Sequence, residues 1–207
     1  MKSVYDIKLF VNLYDCFMRK IMFPRCFNTT IETHMGILKN ELKDIHGKKV
    51  IELAAGTGST SEILPIDNSY IGTDVSMRML NIAKSKFKKM GFEDTVFEIA
   101  DACNLKFEAE YFDLVICNLA MTYFINIDDF ADGLYHILRQ GGEYLCSVPV
   151  SLKNGNKKYR INEKISTPQK IKDLFVRHGL VFEPLKKQAG ELLYFKAYKI
   201  GKQIDEI

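Results

Sequence analysis

Two glycines and an acid at a fixed spacing are the residues of this chain best suited to chemistry. Gly56 and Gly58 follow a short apolar run that begins at Val50. Glycine has no Cβ, so a turn built from glycines lets a ligand approach the bare backbone. Asp74 ends a second apolar run, 18 residues after Gly56. A carboxylate at a second strand end can accept hydrogen bonds from a ribose diol, so these residues predict a nucleoside site.

The glycine turn lacks one feature of a dinucleotide-binding loop. Such a loop has a third glycine three residues after the second, for helix packing and approach of the pyrophosphate. Ser61 occupies that position here. A nicotinamide-dependent oxidoreductase is therefore a less favoured alternative on the same scaffold.

Further segments downstream add to the pattern of the glycine turn. Glu52, Ala54, Gly56 and Gly58 alternate after the first predicted strand. Further segments with strand and turn character follow at residues 99–105 (IADACNL), 111–118 (YFDLVICN) and 138–145 (LRQGGEYL). Together they resemble the class I S-adenosylmethionine-dependent methyltransferases over roughly residues 45–200. Ala54 stands where that family usually has glycine. Within the family, the sequence most resembles small-molecule methyltransferases of the quinone-biosynthesis type.

The resemblance implies a cofactor, a reaction and a set of site residues. The cofactor would be S-adenosylmethionine, and the methyl group would pass to a small, partly apolar acceptor with release of S-adenosylhomocysteine. Asp74 would bind the ribose hydroxyls, Asp101 and Ala102 would flank the adenine amine, and Ala120 would line the cleft. The implied cofactor-binding residues are Glu52, Ala54, Gly56, Gly58, Asp74, Val75, Met79, Asp101, Ala102, Asn118 and Leu119.

Each of these residues also has a purely structural interpretation. The glycines could serve only a strand-to-helix turn, Asp74 could only cap a helix near Ser76, and Asp101 could only cap the following turn. A noncatalytic protein that keeps the cofactor pocket for regulation or assembly also fits the sequence.

The sequence has fewer motifs that bear on the methyl acceptor than on the cofactor. Methyltransferases of nucleobase or amide nitrogens commonly carry two prolines and an aromatic after the fourth strand, whereas this chain continues Asn118-Leu-Ala-Met121. Tyr14 belongs to a Tyr-Asp pair that resembles one in the family's N-terminal lid. Tyr14, His34 and Tyr123 are candidates for proton transfer or substrate contact. The apolar stripe that carries Tyr14 is either a lid over the cofactor or ordinary core.

Composition places limits on the class of protein. The 207 residues are 47% hydrophobic, which predicts one domain, with a helical lid region at 1–45 and a Rossmann-like core at 46–207. A net charge of +3 does not indicate nucleic-acid binding, although residues 153–172 are locally basic. Scattered cysteines, no secretory signal and no long apolar span predict a cytoplasmic protein without membrane insertion. The histidines share no ligand spacing, so no metal site is predicted, and the oligomeric state is not readable.

Hydrophobic periodicity predicts the element order. Helices are expected at residues 6–22 and 29–42, and another should start within residues 59–64, after the glycine turn. Strands and helices then alternate: a helix from Ser76 to about residue 89, a strand at 95–100, a helix at 128–139 and a strand at 143–148. The pattern predicts an α/β, Rossmann-like, doubly wound, seven-stranded sheet. It is mostly parallel, with a C-terminal antiparallel hairpin at 180–185 and 192–200 after a helix at 167–178.

Overall fold

The computed structural model describes residues 8–150 and 162–200, with side chains from residue 13 onward in the first segment. One seven-stranded sheet runs through it in the order β3-β2-β1-β4-β5-β7-β6. Strand β7 is antiparallel to both of its neighbours, and the other described pairs are parallel. The strands are β1 (Lys49–Glu52), β2 (Ser69–Asp74), β3 (Thr95–Ile99), β4 (Phe112–Asn118), β5 (Leu138–Pro149), β6 (Val181–Pro184) and β7 (Leu192–Tyr198). The predicted Rossmann-like sheet with its antiparallel C-terminal hairpin is confirmed.

The described helices begin at side-chain caps in three cases. Thr30, Ser76 and Thr167 each accept a hydrogen bond from the backbone N–H three residues later, which satisfies one of the free amides of the first turn. The helices are α1 (Lys8–Phe17), a π-helical segment (Met18–Cys26), α2 (Ile31–Leu42), α3 (Met77–Lys89), α4 (Ile127–Ile137) and α5 (Pro168–Arg177). None of the helices in these described stretches is long and apolar enough to cross a membrane.

Two hydrophobic layers cover the two faces of the sheet. Successive strand residues point to opposite faces, so Val115 packs into the layer with α4 and α5, and Ile116 packs into the layer with α2 and α3. Both side chains are fully buried. Cys117 and Cys146 face each other across β4 and β5 as buried free thiols, as expected for small apolar core residues.

The strand order also fixes where a ligand can bind. From β1 the chain turns towards β2, and from β4 it turns the other way, towards β5. A crevice therefore opens between the carboxyl ends of β1 and β4, the switch point at which open α/β sheets bind ligands.

The prediction of a helix after the glycine turn is wrong. Residues 59–62 form a single 3₁₀ turn, Ser59–Glu62, and the chain then runs to β2. Pro65 disfavours helical geometry at the residue before it, which leaves only six residues after Gly58. The hydroxyl of Ser61 also bonds back to the carbonyl of Gly58 at 2.8 Å, a local bond that competes with a helix.

Two element boundaries also differ from the sequence prediction. The α-helix expected to reach residue 22 ends at Phe17 and continues as a π-helix, in which Phe27 N–H bonds to the Met22 carbonyl, five residues back. Pro24 lies inside this segment and cannot donate a backbone hydrogen bond. Farther along, α4 ends at residue 137 and β5 starts at once, because Leu138 already pairs with Phe112 of β4.

Candidate functional site

The glycine turn places three left-handed residues at alternate positions. Ala54, Gly56 and Gly58 have φ values of +54°, +55° and +74°. A Cβ at Gly56 would meet no atom within 4 Å, whereas a Cβ at Gly58 would lie 2.7 Å from Ala83 of α3. Gly56 therefore leaves space for a ligand, and Gly58 permits close packing of the turn on α3.

Asp74 connects the glycine turn to the end of β2. Its Oδ2 accepts the N–H of Gly56 at 3.0 Å, and its Oδ1 accepts the N–H of Ser76 at 2.9 Å. The α3 cap itself is the side chain of Ser76. Asp74 is thus fixed at the crevice by both neighbours and does not occupy the cap position.

A cavity of about 560 Å³ opens at this edge of the sheet. Its volume falls in the range of ligand pockets. Most of the residues singled out from the sequence line it together: Tyr14, Ala54, Gly56, Asp74, Val75, Met79, Asp101, Ala102, Asn118, Leu119, Ala120 and Tyr123. Glu52, Gly58 and His34 do not line this cavity.

Four residues that line the cavity after β4 were not predicted from the sequence. Phe124, Ile125, Asn126 and Asp129 come from the loop after β4 and the first turn of α4. They follow the carboxyl end of a strand next to the switch point, and that position alone could have indicated them. Tyr123 is half exposed and Ile125 is 91% exposed, so this part of the lining carries apolar surface out to the cavity mouth.

Two non-glycine residues beside the cavity adopt left-handed backbone geometry. Ala54 has φ of +54° and Leu119 has φ of +59°. The N–H of Leu119 bonds to the carbonyl of Ser147 at 2.8 Å, which holds the chain in this geometry. Such conformations cost about 1–3 kcal/mol each and cluster at ligand sites, where the surrounding structure enforces them.

Asp101 combines two of its predicted roles. Its Oδ1 accepts the N–H of Cys103 at 2.9 Å, so it closes the turn after β3. It also lines the large cavity together with Ala102. The turn-capping interpretation therefore describes its contacts, and a role of Asp101 in ligand binding stays a prediction.

Glu52 is buried beneath the site and bonds to neighbouring strands. Its carboxylate accepts hydrogen bonds from the hydroxyls of Thr60 at 2.7 Å and Tyr70 at 2.5 Å, and lies 3.5 Å from the side-chain amide of Asn118. Burial raises the pKa of Glu52 to about 7, against the opposing effect of these hydrogen bonds. Glu52 thus links the carboxyl end of β1 to Tyr70 near the start of β2 and lies beside Asn118 at the carboxyl end of β4.

A smaller cavity of about 80 Å³ lies under the N-terminal helices. It shares Tyr14, Ala54, Gly56, Asn118 and Leu119 with the large cavity, so the two are neighbours across the glycine turn. His34 and Glu52 line this smaller cavity, with an apolar wall of Met18, Phe23, Ile31 and Met35.

The N-terminal helices contact the site in two different ways. Asp15 of α1 accepts a hydrogen bond from the hydroxyl of Thr57 at 2.6 Å and pairs with Lys86 of α3 at 2.7 Å. Farther along, Phe23 is 1% exposed within the core layer under α2. The apolar stripe is therefore core in its second part, and its first part covers the glycine turn.

The family follows from comparison with known proteins. Residues 45–196 match a family model described as a methyltransferase domain, which is most of the chain. The chain belongs to this methyltransferase domain family. The family expected from the glycine segment is confirmed, and the crevice described above lies within the matched methyltransferase domain.

The chain is similar to curated proteins by sequence and to solved structures by fold. A demethylmenaquinone methyltransferase of Bacteroides fragilis is 29% identical over 109 residues, which are 50% of this chain and 44% of that protein. The chain thus spans less than half the length of this curated relative. The crystal structure of the YcgJ protein of Bacillus subtilis shares 14% identity at a TM-score of 0.71, over 82% of this chain and 99% of that one.

A second solved structure shows the same fold. The S-adenosylmethionine-dependent methyltransferase of Aquifex aeolicus has a TM-score of 0.65 and 13% identity, over 87% of this chain and 93% of that one. At these identities the structural matches establish the fold of the methyltransferase domain.

Proposed function

We propose that this chain binds S-adenosylmethionine in the large cavity and transfers its methyl group to a small, partly apolar acceptor. The observation that carries the proposal is the hydrogen bond between Gly56 N–H and Asp74, two residues that both line the large cavity. It brings an open glycine turn and a diol-binding acid to one point of the cavity. The family membership and the S-adenosylmethionine-dependent neighbours support the same cofactor.

The residues of the cavity suit the parts of this cofactor. Asp74 would accept the ribose hydroxyls, because a carboxylate at the second strand end suits a diol. Asp101 and Ala102 would flank the adenine amine. Gly56 and Ala54 would run beside the amino-acid portion, since a Cβ at Gly56 would meet no atom within 4 Å apart from its own chain neighbours.

Methyl transfer makes limited chemical demands on the protein. The sulfonium supplies an activated methyl group, so the acceptor forms the new bond while sulfur keeps the electron pair of the bond that breaks. Alignment of the two reactants can lower such a barrier by about 7–11 kcal/mol. Asn118, Leu119 and Tyr14 lie where the two cavities meet, and we assign them to alignment and exclusion of water.

The acceptor side of the cavity favours an apolar, ring-shaped molecule. Leu119, Tyr123, Phe124 and Ile125 are apolar residues that line the cavity after β4, and we assign this part of the lining to the acceptor. The paired prolines typical of nucleobase and amide methylation are absent after Asn118 in the sequence. The curated relatives named for demethylmenaquinone methylation support a quinol-like acceptor here.

A turnover assay tests this function directly. The protein is incubated with S-adenosylmethionine and a panel of quinols, phenols, amines and carboxylates, and S-adenosylhomocysteine is measured. We expect turnover with ring-shaped quinols or phenols and its loss in Asp74→Ala. Asp44→Ala serves as the control, because Asp44 has a largely exposed side chain and lines neither of the two cavities. Tight cofactor binding without turnover on any acceptor would instead support a noncatalytic binding protein.

A further inference from the structure

His34 is a buried histidine that lines the small cavity. It lies on α2 and is 4% exposed. Its Nδ1 lies 3.0 Å from the hydroxyl oxygen of Tyr194 on β7, and the rings of Phe23 and Tyr194 pack at 5.0 and 5.6 Å. The ring orientation is therefore fixed by three separate contacts.

The buried hydroxyl of Tyr194 determines which ring nitrogen of His34 carries the proton. Tyr194 is 0% exposed, and within residues 13–150 and 162–200 its hydroxyl bonds only to His34. If Nδ1–H donated to the tyrosine oxygen, the phenolic hydrogen would be buried without an acceptor, at a cost of about 1–3 kcal/mol. The opposite arrangement leaves no enclosed donor: the hydroxyl donates to Nδ1, and the single imidazole proton lies on Nε2, which is not among the enclosed unpartnered side-chain atoms of the described residues and can reach an acceptor in the small cavity.

The remaining N–H of His34 is available to a ligand. Burial lowers the pKa of His34 to about 4, so the ring is neutral at pH 7. No described side chain or backbone group bonds to Nε2. His34 lines the small cavity together with Gly56, Thr57 and Asn118, so this N–H is a donor that a ligand in the cavity can reach.

We propose that His34 is a ligand-binding residue whose Nε2–H donates to a carboxylate or carbonyl oxygen in the small cavity, with Tyr194 as the residue that sets its tautomer. Two ligands could supply the oxygen. A cofactor held by Asp74 would extend its amino-acid carboxylate past Gly56, and a methyl acceptor could present a carbonyl or carboxylate. The identity of the ligand rests on the proposed function, whereas the tautomer does not.

The tautomer is measured in the ligand-free protein. Histidine is labelled with ¹⁵N, and long-range ¹H–¹⁵N spectra separate the two neutral forms, with His34→Gln assigning the signal. We expect the Nε2–H form, and in Tyr194→Phe a loss of that preference. Observation of the Nδ1–H form in the wild-type protein would overturn the inference.

Nucleoside titrations then test the ligand contact. S-adenosylhomocysteine carries the carboxylate, and methylthioadenosine lacks the whole amino-acid end. If the cofactor supplies the oxygen, His34→Phe weakens S-adenosylhomocysteine binding by about tenfold, leaves methylthioadenosine within about twofold, and His34→Gln restores part of the loss. His46→Phe is the control, because His46 is exposed and pairs with Asp67.

A third titration tests whether the methyl acceptor supplies the oxygen that binds His34. If the methyl acceptor supplies the oxygen, benzoate added to protein saturated with S-adenosylhomocysteine shifts the Nε2 signal, while His34→Phe leaves both nucleoside affinities unchanged. Binding of both nucleosides with a signal that neither S-adenosylhomocysteine nor benzoate moves overturns this inference and leaves the proposed function standing. Failure of both nucleosides to bind overturns the proposed function, and this inference with it.

Discussion

Asp15 and Thr57 join the first helix to the glycine turn through a hydrogen bond of 2.6 Å. Thr57 lies between the two glycines, so any ligand that orders the turn also acts on α1. The second oxygen of Asp15 pairs with Lys86 at 2.7 Å, which adds α3 to the same contact. The lid interpretation of α1 stays a prediction, in which an occupied turn orders the helix through this contact.

The lid is tested by amide hydrogen exchange. We expect fast exchange in α1 of the ligand-free protein and slower exchange after S-adenosylhomocysteine is added, because ligand-ordered segments belong to the less stable part of a fold. The π-helical segment around Phe23 should be protected throughout, because Phe23 is buried. Strong protection of α1 in the free protein would show that it is core.

Asp15→Ala should remove the ligand-dependent protection of α1. The substitution deletes both contacts of the carboxylate and leaves the core layer untouched. Asp44→Ala is the matched control, since it removes an exposed acid elsewhere on the N-terminal region. Equal protection in both variants would mean that α1 is held by other contacts.

Asp74→Asn should weaken binding of S-adenosylhomocysteine by at least about tenfold. Hydrogen bonds to a charged acceptor contribute about 1.5–3 kcal/mol each, and asparagine keeps the shape while losing the charge and one of the two acceptor oxygens that bind Gly56 and Ser76. Calorimetric titration gives the dissociation constant, and circular dichroism checks that the variant keeps the overall secondary structure of the wild type. An unchanged constant would show that Asp74 serves only Gly56 and Ser76.

The stability of the protein should depend on pH through two buried groups, Glu52 and His34, whose effects have opposite signs. The pKa of Glu52 rises to about 7 from 4.5, so the native state binds more protons and its stability falls as pH rises between these values. The pKa of His34 falls to about 4 from 6.5, so stability rises with pH through that window. Each effect is on the order of 3 kcal/mol, and the two oppose each other in the wild-type protein.

Substitution of either group should reveal the other. In Glu52→Gln, unfolding free energy from urea titration should increase between pH 4 and 6.5, because only the His34 effect remains. In His34→Gln it should decrease between pH 4.5 and 7. Parallel pH profiles for the wild type and both variants would contradict the assigned pKa directions.

Ala54→Gly should stabilise the protein by up to about 1 kcal/mol. The left-handed geometry of Ala54 costs about 1–2 kcal/mol, and glycine avoids this at an entropic cost of about 0.5–1 kcal/mol. Ala55→Gly is the control, because Ala55 is buried without positive φ and should lose stability. Thermal unfolding measures both, and a lower melting temperature for Ala54→Gly would contradict the assignment of strain.

The sequence was sufficient for the fold and for most of the cavity lining. Local patterns suffice for these, because Gly56 and Asp74 mark strand ends and parallel strands bring their carboxyl ends to one edge. The separate roles of Gly56 and Gly58 were not predictable, since only the packing of Ala83 against the turn distinguishes them. Glu52 was expected beside the cofactor, but its bonds to Thr60 and Tyr70 depend on three-dimensional neighbours that no local pattern contains.

The central claim is that this crevice binds S-adenosylmethionine and does not bind a dinucleotide. Isothermal titration with S-adenosylhomocysteine, NAD and NADP on the same preparation tests it most directly. Ser61 replaces the glycine that packs the helix of a dinucleotide-binding loop against its strand, and Gly58 is packed against α3. The account predicts saturable binding of S-adenosylhomocysteine with no comparable heat from NAD or NADP. Tight NAD binding without an S-adenosylhomocysteine signal would contradict it.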